Sequence, residues 1–79
     1  MDLVNFVKER DEALRSLDEI KIREYAIKYR VPLPQNIQVF WAAVHKARLA
    51  SNGITEQEKQ ISREWLTQNG FQPEFLGVN

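Results

Sequence analysis

Residues 36–50 have the sequence NIQVFWAAVHKARLA, the longest mostly apolar and helix-compatible run in the chain. On a helix with 100° between successive residues, this run has one broad apolar face. The face consists of Ile37, Phe40, Trp41, Val44 and Ala47. The polar residues Gln38, His45 and Lys46 fall on the remaining arc. Because so apolar a helix needs neighbours on more than one side, we expect the helix at about 35–51 to be central.

The chain before this run predicts two helices. Asp2 is a suitable N-cap for a first helix that ends near Arg15. Ser16 and Glu19 have the spacing of a capping box, which predicts a second helix over about 17–30. The sequence that follows, VPLP, should end that helix because proline lacks an N–H and keeps the preceding residue out of the α region. The second helix has two apolar stripes on opposite sides, Ile22, Tyr25, Ala26 and Tyr29 on one and Ile20 and Ile27 on the other.

The chain after residue 50 predicts one more helix. Gly53 suits the left-handed position that follows the end of the central helix. Thr55 and Glu58 form a second capping-box pattern, and Asn69-Gly70 should close the helix that it opens. Phe71 is expected to pack back on the last turn, ahead of a C-terminal tail at 71–79. The predicted buried face of this helix consists of Ile61, Ser62, Trp65 and Leu66.

These patterns predict an all-α, small four-helix single domain over residues 1–79. No alternating strand pattern and no internal repeat is present in the sequence. The composition, 43% hydrophobic and 28% charged, is that of an ordinary globular protein. One modest core is what a chain of this length can bury.

The composition also limits the possible chemistry. There is no cysteine, which excludes disulfides and thiolate metal sites. His45 is the only histidine, so we expect no zinc site, no other metal and no cofactor. No run approaches the ~18 apolar residues of a membrane span. The first residues lack the basic and apolar regions of a signal peptide, so we expect a cytoplasmic protein without a membrane partner.

Charge is unevenly distributed along the chain, although the formal net charge is zero. Residues 1–20 hold three basic and six acidic groups, and residues 49–79 hold two basic and four acidic groups. Residues 21–48 hold six basic groups and one acidic group, a net charge of +5. This basic middle segment can either attract an anion or complement the acidic ends within a small bundle. The second interpretation is the simpler one.

An enzymatic function is not expected. The sequence has no nucleophile motif, no glycine-rich phosphate loop and no acidic loop with metal-ligand spacing. His45 lies on the predicted polar arc beside Lys46 and is interpreted as structural or solvent-exposed. The acidic residues Glu9, Asp11 and Glu12 are most simply a solvated helix face.

Binding to another protein is the expected function. Trp41 lies at the edge of the apolar arc of the central helix, on the side of Arg48. Large aromatic residues dominate the energetics of protein interfaces. Trp41 is therefore the candidate partner-binding residue, either in an exposed patch or in the seam of a homodimer.

A helix-turn-helix that binds nucleic acid is the alternative, and it uses residues 21–48. Residues 22–32 resemble a first helix and its turn, with a small Ala26 followed five residues later by a β-branched Val31. Arg30, however, stands where such motifs usually have glycine, and the helix that would enter the groove is mostly apolar. In this alternative the phosphate contacts come from Lys28, Arg30 and Lys46, and the base contacts come from Gln35 and Gln38.

The stretch PQNIQVFWAAVHKA at residues 34–47 resembles short helical proteins from phage-associated regions of Gram-positive bacterial genomes. The resemblance covers most of the chain, but no motif in it has a known chemical meaning. It implies a small cytosolic helical protein with a phage association. It assigns no functional residue.

Overall fold

The computed structural model describes residues 3–73, and the secondary structure within that range is entirely helical. The helices are α1 (Leu3–Ser16), α2 (Glu19–Tyr29), α3 (Ile37–Ala50) and α4 (Glu56–Gln68). The prediction of an all-α, four-helix fold is therefore confirmed. The expected N-cap at Asp2 and the part of the tail at 74–79 lie outside the described residues. None of the four helices combines the length and hydropathy that crossing a membrane requires.

The helices pack in the spatial order α2, α1, α3, α4. The strongest packing joins α3 with α4, followed by α1 with α2 and α1 with α3. Both α1 and α3 therefore have two main neighbours, so α3 shares the central position with α1. The largest set of buried residues in any helix belongs to α3 and consists of Phe40, Ala42, Val44, His45 and Arg48.

The hydrophobic core lies where α1, α2 and α3 meet the turn before α4. It consists of Ala13, Leu14, Ile22, Phe40, Val44 and Ile54. Phe40 is fully buried, with Trp41 packed edge-on against its ring at a centroid distance of 5.0 Å. Full burial of such a side chain stabilises the fold by about 1.5–3 kcal/mol.

The apolar faces predicted for α3 and α4 are each partly exposed. Ile37 belongs to the predicted apolar face of α3 and Ile61 to that of α4, yet their exposed fractions are 52% and 53%. Ser62 and Leu66 are buried as predicted, because they face α3. Helical periodicity shows which side chains share a face, but the width of that face depends on how closely a neighbouring helix covers it.

The start of α2 differs from the prediction. The predicted N-cap, Ser16, closes α1 instead, because its hydroxyl donates to the carbonyl of Ala13 at 2.6 Å. Leu17 then adopts a left-handed conformation with φ of 51°. The actual N-cap is Asp18, whose carboxylate accepts two backbone N–H groups of the first turn at 2.9 and 3.3 Å. Aspartate caps as well as serine does, so the turn geometry selects between them.

The ends of α2 and α4 are closed by left-handed residues. At the end of α2, Arg30 has φ of 57° and the Val31 N–H donates to the carbonyl of Ala26 at 2.8 Å. At the end of α4, Gly70 has φ of 82° and the Phe71 N–H donates to a carbonyl in the last turn at 2.8 Å. This bonding pattern is that of a Schellman motif in both places. The predicted closure at Gly70 and the return of Phe71 are confirmed.

The end of α3 corrects the role predicted for Gly53. The C-cap of α3 is Ser51 in an extended conformation, and Gly53 does not have a positive φ. The glycine is needed for another reason, since a Cβ at this position would collide with the carboxylate of Asp11. Both Pro34 and Asn36 were possible starts of α3 by sequence, and the N-cap is Asn36. The predicted start of α4 at Thr55 is correct, and Thr55 forms the full capping box.

Candidate functional site

A groove with a mostly apolar lining lies between α1, α2, α3 and the segment at 31–34, and we call it the apolar groove. Four of the residues that line it are alanines, Ala13, Ala26, Ala43 and Ala47. Because an alanine side chain ends at Cβ, these positions leave space that larger residues would fill. The volume of the groove is about 280 Å³. A cavity of about 150 Å³ lined by apolar residues is enough to hold benzene.

One wall of the apolar groove is the segment at 31–34. Pro32 and Pro34 fix two of its φ angles, so this wall is stiffer than most connections of its length. Leu33 packs against the core from this segment. Pro32 and, across the groove, Ala43 are solvent-exposed, which shows that the groove opens to the surface.

Aromatic rings fix the opposite wall. Phe6 packs edge-on against Tyr29 at a centroid distance of 5.0 Å and lies 5.7 Å from the ring of Tyr25. The hydroxyl of Tyr25 donates to the carbonyl of Phe6 at 3.4 Å, and burial raises the pKa of Tyr25. Phe6, Tyr25 and Phe40 all line the groove. These contacts hold α1 and α2 together beside the groove.

Arg10 is the charged residue in the lining of the apolar groove. Its Nη2 donates to Asp11 Oδ1 at 3.1 Å and to Ser51 Oγ at 3.3 Å. The hydroxyl of Ser51 donates in turn to Asp11 Oδ1 at 2.5 Å, and the Gly53 N–H donates to Ser51 Oγ at 3.3 Å. This network ties α1 to the end of α3 and holds the guanidinium beside the groove.

Two more arginines lie beside the segment at 31–34. Arg23 pairs with Glu19 at 2.8 Å, and its guanidinium carbon lies 4.6 Å from the centroid of the Phe40 ring. Arg30 is exposed at the end of α2, and no carboxylate among residues 3–73 pairs with it. Both line a shallow depression on the other side of the wall that closes the groove. Of the arginines beside the groove, Arg10 and Arg23 are in ion pairs, and Arg30 is the one whose charge is not paired within residues 3–73.

Part of the basic middle segment is neutralised within the fold. Lys28 pairs with Glu9 at 2.8 Å across α1 and α2. The hydrogen bond between them raises the pKa of Lys28 and lowers the pKa of Glu9. The acidic N-terminal region thus complements the basic segment, as the simpler interpretation of the charge pattern proposed. Arg30 keeps its charge available to a partner.

The candidate partner-binding residue Trp41 lies outside the apolar groove. It is half-buried and belongs to a row of aromatic contacts between α3 and α4. Its ring lies 6.4 Å from His45, which stacks on Trp65 at 4.5 Å, and Phe71 continues the row at 6.1 Å from Trp65. Trp41 therefore packs intramolecularly on this side, with part of its ring left accessible.

The helical wheel placed His45 on a polar arc of α3, but its side chain is buried. Its exposed fraction is 4%, and its Nδ1 lies 2.9 Å from the hydroxyl oxygen of Ser62. Burial, together with the positive charge of Arg48, lowers the pKa of His45 to about 4. A serine beside a histidine is the arrangement of an activated nucleophile. Ser62 is fully buried, however, so no substrate reaches it and the pair is structural.

The residues of the nucleic-acid alternative do not form the geometry of a helix-turn-helix. Seven residues, 30–36, separate α2 from α3, whereas the motif has a turn of about three or four. Gln35 and Gln38 are exposed at the start of α3, Lys28 is in its ion pair, and Lys46 is half-buried. Arg30 adopts the left-handed conformation that the motif assigns to glycine.

Sequence reasoning did not identify the apolar groove. The available signal was the set of alanines on the apolar stripes of α2 and α3 next to a segment with two prolines. Comparison with known protein families, curated proteins and solved structures finds no match for this chain. Within residues 3–73 no three histidine, aspartate or glutamate side chains are grouped so that they would hold a metal ion. The groove and its charges are the main evidence for function.

Proposed function

We propose that the protein is a small, non-enzymatic interaction module that binds another protein through the apolar groove. The observation that supports this is a groove of about 280 Å³ with an apolar lining, an opening at Pro32 and Ala43, and arginines beside it. An apolar groove that receives side chains of a partner segment is a recurring mode of protein recognition. The resemblance of residues 34–47 suggests a cytoplasmic, phage-associated setting for this interaction.

The size of the apolar groove is the energetic reason to expect an occupant. If it were sealed and empty, a void of 280 Å³ would cost about 7 kcal/mol at the slope measured for engineered cavities. That is comparable to the whole stability of a small domain, roughly 5–15 kcal/mol. The groove therefore stays open to water, and an apolar side chain from a partner gains about 1.5–3 kcal/mol on entering it.

Capture of the partner with a matched pair of variants tests the proposal. Ala47→Leu fills the groove from α3, whereas Ala50→Leu adds the same atoms to an exposed position of α3 that does not line it. We expect wild type and Ala50→Leu to capture the same protein from a lysate and Ala47→Leu to lose it. The captured protein is then purified and mixed with each variant. It should bind wild type and Ala50→Leu with similar affinity and Ala47→Leu more weakly.

Trp41→Ala separates the apolar groove from the earlier candidate residue. If the groove is the binding site, this variant keeps its partner, because Trp41 packs on Phe40 but does not itself line the groove. Loss of the partner in Trp41→Ala together with its retention in Ala47→Leu would show that the aromatic row is the binding site instead. Sedimentation of wild type alone reports whether the partner is a second copy of the chain.

Nucleic-acid binding is the second candidate, supported by the positive charge of residues 21–48 and by the exposed side chain of Arg30. An electrophoretic shift assay at low and moderate salt tests it. We expect weak binding or none even at low salt, because the net charge is zero and Lys28 is paired with Glu9. Tight, salt-sensitive binding that is lost in the Lys28→Ala/Arg30→Ala double variant would establish the alternative.

A further inference from the structure

The lining of the apolar groove favours one kind of side chain. Phe6, Tyr25 and Phe40 contribute aromatic rings, and the alanines contribute methyl groups. A flat ring packs edge-on against other rings and lies closely against surfaces covered by methyl groups. Two lining alanines, Ala43 and Ala47, occupy successive turns of α3 and so offer such a surface along one side of the groove.

The volume of the apolar groove sets the size of that ring. At about 280 Å³ it is nearly twice the cavity of about 150 Å³ that is known to hold benzene. A single six-membered ring would leave much of it unfilled, whereas a fused two-ring system such as indole fills it better. Closer filling means more van der Waals contact and less residual void.

Arg10 provides a second reason for an aromatic occupant. Its Nε and Nη2 both donate to Asp11 Oδ1, at 3.2 and 3.1 Å. Such hydrogen bonds lie in the plane of the guanidinium and do not occupy its faces, and guanidinium faces stack on aromatic rings. The chain already uses this contact nearby, where the guanidinium carbon of Arg23 lies 4.6 Å from the Phe40 ring centroid.

We propose that the apolar groove receives one indole-sized aromatic side chain from an acidic segment of the partner, an inference that rests on the function proposed above. The acidic character follows from charge complementarity. Arg30 is exposed next to the wall at 31–34 and pairs with no carboxylate of the described residues. A carboxylate of the partner that flanks the aromatic anchor can therefore form an ion pair with Arg30.

Amide chemical shifts of the ¹⁵N-labelled full chain test the proposal. The probes are free indole and a capped peptide with one tryptophan between glutamates, compared with peptides that carry leucine for the tryptophan or lysines for the glutamates. We expect saturable shifts at Ala26, Ala43 and Ala47 with the first two probes. The leucine and lysine peptides should bind at least fivefold more weakly.

Variants of the chain test whether the chemical-shift changes come from binding in the apolar groove and whether the charge of Arg30 contributes to binding. Ala47→Leu should weaken indole binding at least tenfold, and Ala50→Leu should leave it unchanged. Arg30→Glu should weaken the acidic peptide severalfold and leave free indole unaffected. The melting temperature and the spectral dispersion of each variant show that it is folded.

The opposite results overturn the proposal. The aromatic anchor is contradicted if indole causes no saturable shifts. It is also contradicted if indole causes the same shifts in Ala47→Leu as in wild type. Shifts at the same residues that grow with protein concentration alone, with a dimer in sedimentation, make a second copy the occupant. If Ala47→Leu loses its captured partner while none of the probes binds, the interaction function stands and the aromatic inference fails.

Discussion

At the scale of single residues, the imidazole of His45 is neutral at pH 7, because burial and the nearby charge of Arg48 lower its pKa to about 4. In the unfolded chain the same group titrates near 6.5. As the pH falls below 6.5, the unfolded chain binds a proton that the folded chain does not. We therefore expect the free energy of unfolding to be highest above pH 6.5 and to fall by about 2.5 kcal/mol by pH 4.5.

Urea unfolding between pH 7.5 and 4.5 measures this loss. The control is the His45→Phe/Ser62→Ala double variant, which removes the titrating ring and its hydrogen-bond partner together. Glu58 does not contribute in this range, because the Thr55 backbone N–H and Arg15 lower its pKa to about 2, so the stability it adds is lost only below 4.5. An unchanged slope in the double variant would show that another group is responsible.

Arg48 is the second buried polar residue whose replacement is informative. Its exposed fraction is 1%, and one nitrogen, Nη2, donates to the carbonyl of Glu58 at 3.3 Å. Its Nε and Nη1 are buried and have no hydrogen-bond partner among the described residues. Replacing a poorly compensated buried charge with an apolar side chain of similar length is neutral or stabilising.

We therefore expect Arg48→Met to keep or raise the free energy of unfolding, by up to about 2 kcal/mol. Arg48→Ala should lower it by about 2 kcal/mol or more, because the packed aliphatic stem is lost as well. Chemical denaturation of the two variants at one pH is the measurement. A strong destabilisation in Arg48→Met would show that the guanidinium makes compensating bonds in solution.

At the scale of helices and their ends, two glycines are required for different reasons. Gly70 has φ of 82° with open space around it, so a side chain there meets only backbone strain. Gly53 has an ordinary backbone, but a Cβ would meet the carboxylate of Asp11, which Ser51 and Arg10 hold in place.

We expect Gly70→Ala to cost about 1 kcal/mol and Gly53→Ala about 1–3 kcal/mol. Asp11→Ala removes the obstructing carboxylate, so the Gly53→Ala/Asp11→Ala double variant should lose less than the sum of the two single changes. Gly70→Ala combined with Asp11→Ala is the control and should be additive. Additivity in both pairs would contradict the contact between Gly53 and Asp11.

At the scale of the whole molecule, stability depends on the core where α1, α2 and α3 meet. Phe40→Ala should lower the free energy of unfolding by about 3–5 kcal/mol, because the ring is fully buried. Val44→Ala should lower it by a smaller amount. Ile27→Ala, at an exposed fraction of 78%, is the matched apolar control and should change it by less than about 0.5 kcal/mol.

Thermal melts followed by far-UV circular dichroism measure all three variants. The wild-type spectrum should be dominated by helix, as the four helices require. Equal melting temperatures for Phe40→Ala and Ile27→Ala would mean that the core does not lie where α3 meets α1 and α2.

Local patterns along the chain are enough to predict the number of helices and most of their ends. Asn36, Thr55 and Gly70 act at the ends predicted for them, because capping depends on hydrogen bonds within a few residues. The start of α2 was the exception, because Ser16 and Asp18 are both good caps and the turn at Leu17 selected one.

The neighbours of each helical face depend on how the helices pack, and local patterns do not predict them. A helical wheel places His45 on a polar arc, yet α4 covers that arc and buries the imidazole against Ser62. It places Ile61 on an apolar face, yet no neighbouring helix among the described residues covers it enough to bury it. The apolar groove likewise exists only because residues of α1, α2 and α3, distant along the chain, stop short of one another in space. Such contacts join residues tens of positions apart, and no local pattern in the sequence records them.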